Sequence, residues 1–197
     1  MNGKRFRSTA FEIEPYRAEE LVAEDIPVLQ AFFVDNPEYF IAVNGEPPQA
    51  NEAEEEFFDQ VPSDMSYTRI FRIGFFSNTG KIIGMASVVA DLNAYRVWHI
   101  ALFIIATSLH GSGVATAIHD AMLAWMRQGG AAWVRLGVVE GNVRAEQFWQ
   151  RRGYLETRKR CGVQMGAKVN TLRVMVKSLA GDALQAYLEG VPRDHPE

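Results

Sequence analysis

Residues 102–116, Leu-Phe-Ile-Ile-Ala-Thr-Ser-Leu-His-Gly-Ser-Gly-Val-Ala-Thr, constrain this chain more than any other stretch. An apolar β-type run breaks at a short polar turn holding Gly111 and Gly113, and Val114 opens an amphipathic helix. Spacing predicts the helix: Val114, Ile118, Ala121, Met122 and Trp125 recur at three and four residues and form one apolar stripe, which Gly129-Gly130 ends. A helix entered from a glycine turn presents unpaired N–H groups and the positive end of its dipole, an arrangement suited to phosphate oxygens. Glycine lets the backbone approach such a ligand, although ordinary tight turns use the same residues. The familiar nucleotide loops do not fit, because Val114-Ala115-Thr116 supplies neither a P-loop lysine nor the third glycine of a dinucleotide fingerprint.

Other elements follow from patterning on either side. Residues 11–15 alternate and stop at a proline, as a strand with one buried face. Asp25 is placed to cap a helix carrying Ile26, Leu29, Phe32 and Phe33, ended by Asn36-Pro37. Residues 44–50 read as loop, and Asn51 is placed to cap a second helix with Ala53, Phe57, Phe58 and Val61 inward. Glu52, Glu54, Glu55 and Glu56 fall in its first turn, where carboxylates suit the helix dipole; a solvated face explains them more simply than attraction of a cationic substrate. Residues 69–76, a Ser77-Asn78-Thr79-Gly80 turn and residues 81–90 form a hairpin, with a third strand over about 96–105. Beyond the long helix come a strand over 133–139, a helix from its cap Asn142 to Arg152, strands over 154–159 and 170–177, and a short helix over 182–188. The class is α+β, or mixed α/β around one sheet.

With 197 residues and 48% hydrophobic composition, the chain can bury one sizeable core. A net charge of −4 with dispersed Lys and Arg argues against a nucleic-acid scaffold, so small molecules or proteins are the expected partners. Cys161 is the one cysteine, which excludes an internal disulfide, and His99, His110, His119 and His195 are scattered, so no metal is expected. No apolar run approaches the ~20 residues of a membrane span, and Met1 to Thr9 is basic without a signal-type apolar core behind it. A soluble, unprocessed, cytoplasmic protein is the expectation.

Two motifs together resemble the GNAT superfamily of acyl-CoA-dependent N-acyltransferases. The family's central motif is Arg or Gln, two residues, Gly, one residue, then Gly or Ala; it corresponds here to His110-Gly111-Ser112-Gly113-Val114-Ala115, departing at His110. The second, an Asn, then Ala, an apolar-aromatic pair and a Gly-aromatic corner, runs from Asn142 through Ala145, Phe148 and Trp149 to Gly153-Tyr154. The resemblance covers about residues 10–177. It implies one GNAT-type domain over 1–197, with a core at about 10–177 and a C-terminal extension over 178–197. Its fold would be a central, mostly antiparallel twisted sheet flanked by helices, with a splayed strand pair forming an acyl-CoA cleft. The resemblance further implies acetyl-CoA as co-substrate, with its pyrophosphate on backbone amides of His110, Gly111, Ser112, Gly113, Val114 and Ala115. Thr116 could add a hydroxyl donor. The pantetheine arm would pair with backbone at Phe103 and Ile105, and Asn142 would touch the same arm while also serving as a plain helix cap. Dimerisation is common in the family.

The implied reaction is acetyl transfer to a primary amine of a small molecule or peptide by direct attack, with backbone amides holding the oxyanion. An alkyl amine of pKa about 10.4 is neutral in only about one part in 10³ to 10⁴ at pH 7, a handicap of roughly 4 to 5 kcal/mol that a base or a desolvating site must offset. Many relatives place a base on the strand before the glycine loop, where His99 stands here. Strand alternation predicts that His99 shares a face with Ala101, Phe103 and Ile105, and an imidazole is a plausible base; a half-buried structural histidine is the competing account. Asp91, Tyr95 and Glu140 are weaker candidates. Trp149 stands where many members carry a tyrosine acid, and an indole N–H donates a hydrogen bond without acting as an acid; Tyr154 or Tyr67 could substitute. Tyr39, Phe40 and Phe57 are candidates for an acceptor wall, and Arg144, Arg151 and Arg152 for phosphate contacts. These departures also leave open a non-catalytic acyl-CoA-binding regulatory module of the same fold.

Overall fold

A computed structural model describes residues 8–196, so the basic start of the chain, residues 1–7, lies outside the described residues. One sheet contains β1 (Thr9–Ile13), β2 (Tyr16–Glu20), β3 (Arg69–Phe76), β4 (Ile82–Ala90), β5 (Val97–Ile105), β6 (Trp133–Val139), β7 (Leu155–Met165) and β8 (Lys168–Ser178). Their spatial order is β1-β2-β3-β4-β5-β6-β8-β7. Among the described residues only β5 and β6 pair in parallel, which demands a crossover, and α4 (Val114–Gln128) provides it. The other helices are α1 (Ile26–Asp35), α2 (Glu38–Asn44), α3 (Glu52–Phe58), α5 (Val143–Arg151) and α6 (Leu184–Gly190). This is the expected mixed α/β architecture, a mostly antiparallel sheet flanked by helices.

Each sheet face is covered by apolar packing. The stripe of α4 buries Ile118 and Met122 against Trp98, Ile100 and Val134. On the opposite face Leu29, Phe33 and Phe40 cover Met85, Leu102 and Ile104. Tyr187, Leu188 and Val191 from the C-terminal segment pack against Val97 and Trp133. Among the described residues no helix is long and apolar enough to cross a membrane.

The site is positioned by the junction of β5 and β6. Their pairing runs from Val97↔Trp133 to Ile100↔Leu136 and stops, while β5 continues to Ile105 and β6 stays with β8 as far as Val139↔Leu172. The strands therefore splay, leaving the edge of residues 101–105 unpaired with β6.

The structure corrects several expectations. β2 has only Ala18 fully buried and no apolar alternation, so its strand character comes from pairing with β1 and β3. α2 follows Pro37 directly and ends at Gly45 (φ 83°), because proline ends one helix and pre-sets φ for the next. α3 stops at Phe58, whose side chain is 55% exposed rather than inward. Asp25 turns back to accept from the Val22 amide, and Asn51 donates to Glu55 instead of capping. The last two strands extend to a turn at Gly166, where the Ala167 amide donates to Asn44 and the Asn170 side chain to Val43. Docking against α2 thus lengthens this hairpin. Finally, a bulge at Ala101, where Val88 faces Ile100 but Ser87 faces Leu102, reverses the alternation. Phe103 and Ile105 join Trp98 and Ile100 on the α4 side, and His99 lies on the opposite face. One inserted residue flips every later side chain.

Candidate active site

The turn between β5 and α4 is held by its own side chains. The Ser112 hydroxyl donates to the Leu109 carbonyl (2.6 Å). Gly111 and Gly113 have φ of 79° and 88°, a region strained for residues with a Cβ. An added Cβ at either would meet nothing within 4 Å, so conformation rather than crowding calls for glycine and the space over the loop is open. The amides of Gly111, Gly113, Ala115 and Thr116 find no acceptor among the described residues. Converging at a helix N-terminus, they suit an anion.

His110 is fixed to the end of β5, its Nε2 donating to the Ile105 carbonyl (3.0 Å). That tautomer leaves Nδ1 as acceptor, and the Arg144 guanidinium of α5 donates to it. Arg144 therefore carries a cation to the place where the motif's first residue departs from Arg or Gln. Arg151 and Arg152 instead engage Gln147 and Asp120. Opposite, the Thr107 hydroxyl donates to Glu38.

Behind this cradle lies a cleft of about 440 Å³. The edge of β5, with Phe103 and Ile105, forms its floor; Tyr39 and Ala42 of α2 and Ala145, Phe148 and Trp149 of α5 form its walls. Phe148 stacks on Phe103 (centroids 6.0 Å apart). Of the residues placed at this site from sequence, Phe103, Ile105, His110, Gly111, Ala115 and Asn142 line the cleft; Ser112, Gly113, Val114 and Thr116 lie outside its walls. Asn142 also caps α5 through the Ala145 amide (3.3 Å).

Two further cavities follow, each sharing walls with the one before it. One of about 190 Å³ shares Tyr39, Phe103, Asn142, Ala145 and Trp149 with it and follows the strand gap to His99 and Arg135. Another of about 230 Å³ shares His99, Ala101, Arg135 and Arg160 with the second and reaches Asp59, Ser87 and Asn93. The three have common walls in series.

His99 Nδ1 lies 3.2 Å from the Arg135 carbonyl and 3.3 Å from Arg135 Nη1. Burial, reinforced by the neighbouring guanidinium, pushes its pKa down to about 3. Arg135 is itself buried and paired with Asp194 at 2.7 and 3.1 Å, and Tyr187 donates to the same carboxylate. Trp149 is buried among Phe103, His119 and Tyr154. Tyr154 Oη sits 3.1 Å from His119 Nε2, away from the cleft. Asp91 is occupied by the Thr68 hydroxyl and the Arg96 amide, Glu140 by Lys159, and Tyr95 is 83% exposed. None of these three, nor Tyr67, lines a cavity of the series.

Glu56, read from the sequence as part of a solvated acidic face, is instead part-buried. Its carboxyl lies beside Ser87, a wall of the third cavity, and burial, with Asp59 nearby, pushes its pKa up to about 7. The available signal was its spacing of three from the fully buried Ala53, which puts both on one helix face.

Fold and cleft together define the acyl-CoA-dependent acetyltransferase class of enzyme. Residues 29–154 match the sequence profile of the acetyltransferase (GNAT) family, and the chain belongs to that family. No curated protein matches the sequence. Among solved structures, an acetyltransferase from Thermus thermophilus superposes with a TM-score of 0.65 at 18% identity, over 85% of this chain and 99% of that one. The ribosomal-protein-S5-alanine acetyltransferase from Vibrio fischeri gives 0.64 at 13% identity, over 85% and 95%. The spermidine N-acetyltransferase from Vibrio cholerae, in complex with CoA and spermine, gives 0.64 at 15% identity, over 84% and 96%. At these identities the likeness is one of fold.

Proposed function

We propose that the protein transfers an acetyl group from acetyl-CoA to a primary amine of a small molecule or peptide, by direct attack of the amine on the thioester. The observation that carries this reading is the series of three cavities with shared walls, which runs from the amide cradle along the gap between β5 and β6. Two substrates entering from opposite ends meet at the unpaired edge of β5. Bound acetyl-CoA supplies the activated carbonyl. The amides of residues 111–116, backed by Arg144, hold its pyrophosphate, and the free edge at residues 103–105 pairs with its pantetheine arm. Backbone N–H groups of that edge stabilise the oxyanion as it forms.

The proton on the amine needs a base matched to it. His99, with a pKa of about 3, is too weak to take a proton from an ammonium of about 10.4, so it accepts a hydrogen bond and orients the amine. Glu56, at about 7, is the better matched group and takes the proton through water on the Ser87 side. At the sulfur, Tyr39 faces Trp149 across the cleft, and its hydroxyl has no hydrogen-bond partner among the described residues. Burial raises its pKa and keeps it protonated, so it donates a hydrogen bond to the departing thiolate, a role the Trp149 indole can only support.

Thiol release measured with acetyl-CoA across a broad amine panel tests the proposal. Turnover is expected, with kcat about ten- to a hundredfold lower in Tyr39→Phe. Background rates across the panel despite acetyl-CoA binding would favour the non-catalytic binding module instead.

A further inference from the structure

The third cavity carries two donors that nothing among the described residues satisfies. Arg160 of β7 is half-buried, lines both the second and third cavities, and makes no hydrogen bond or ion pair among the described residues. Asn93 Nδ2 is buried without a partner on another wall of the same cavity, while its Oδ1 accepts from Arg193 at 3.2 Å. That contact fixes the amide so that the N–H₂ group is the free end. The other cation there, Arg135, is neutralised by Asp194. Asp59 of the same lining is exposed and Glu56 lies beside Ser87, so Arg160 is the cation of this lining that no carboxylate pairs with among the described residues.

An unpaired guanidinium and an unpaired amide donor in one cavity call for an acceptor-rich anion, because buried polar groups are otherwise hydrogen-bonded. We infer that the acyl acceptor is a primary amine that also bears a carboxylate, a free amino acid or a similar small amino acid, with its carboxylate held by Arg160 and Asn93. This rests on the N-acetyltransferase reading above and narrows its acceptor. The amine then extends from the third cavity past His99, whose neutral imidazole accepts from it without repelling it. A polyamine, with no anionic group, would place a second ammonium against Arg160.

Matched acceptors test this: amino acids against their decarboxylated amines, such as lysine against cadaverine and ornithine against putrescine, with acetyl-CoA binding followed by calorimetry in parallel. The expected result is a kcat/KM about ten- to a hundredfold higher for the carboxylate-bearing member of a pair. Arg160→Met should collapse that ratio to within about threefold and Arg160→Lys should restore part of it. Asn93→Asp, which keeps the contact with Arg193 but presents an anion to the cavity, should invert the preference. Equal or better turnover of the decarboxylated amines, with ratios unmoved by Arg160→Met, overturns the inference while leaving the acetyltransferase reading intact. Absence of turnover with every amine overturns both.

Discussion

Burial moves Glu56 and His99 in opposite directions because it always disfavours the charged form. The carboxyl rises to about 7 and the imidazole falls to about 3, so near neutral pH His99 is uncharged and Glu56 is poised between its two forms. The activity should accordingly rise with pH through about 7 as the Glu56 carboxylate forms, and Glu56→Gln should lose that limb of the kcat/KM profile. Stability has the reverse slope. Between about pH 4.5 and 7 the folded chain holds a proton that the unfolded chain releases, so folding weakens as pH rises across that window. Glu56→Gln removes the effect and should be more stable than the parent at pH 8, by roughly 1 to 3 kcal/mol, with the two equal near pH 4. Chemical denaturation at the two pH values measures this. Asn142 and the glycine pair were legible in the sequence because their roles are local. The face of His99 was not, because the bulge at Ala101 is set by pairing with β4.

Among the elements, the segment after Ser178 does more than end the chain. α6 and the turn Pro192–Asp194 deliver Tyr187 and Asp194 to Arg135 beneath His99. Both members of the ion pair are buried, Asp194 at 1% and Arg135 at 7% exposure. Removing one partner leaves an uncompensated charge inside the protein, so Asp194→Ala should destabilise by about 3 to 5 kcal/mol and lower Tm by roughly 10 °C. Thermal unfolding of the variant measures it; a shift under about 2 °C would mean that the pair contributes little. Strongly periodic elements such as α4 and β6 were predicted to within a residue. β2 and α2 were missed, since one lacks alternation and the other follows a proline that reads as an end.

For the whole molecule, the order of elements gave the mixed α/β class, while the splayed pair was implied by the family resemblance of the two motifs and is seen where β5 and β6 part after Ile100↔Leu136. Sequence could not show that the cavities along this gap share walls as far as Arg160. That depends on α2 docking on the β7–β8 hairpin and on Arg160 arriving from an edge strand far along the chain. On the proposed function, the cleft between the amide cradle and the free edge of β5 holds acetyl-CoA. Isothermal titration of acetyl-CoA into the parent protein and into Ala145→Trp, which fills the wall shared by the first two cavities, tests it most directly. Micromolar or tighter binding by the parent, weakened at least tenfold in a variant of unchanged Tm, is the predicted result. No binding by the parent, or equal binding by both proteins, would mean that acetyl-CoA does not occupy this cleft.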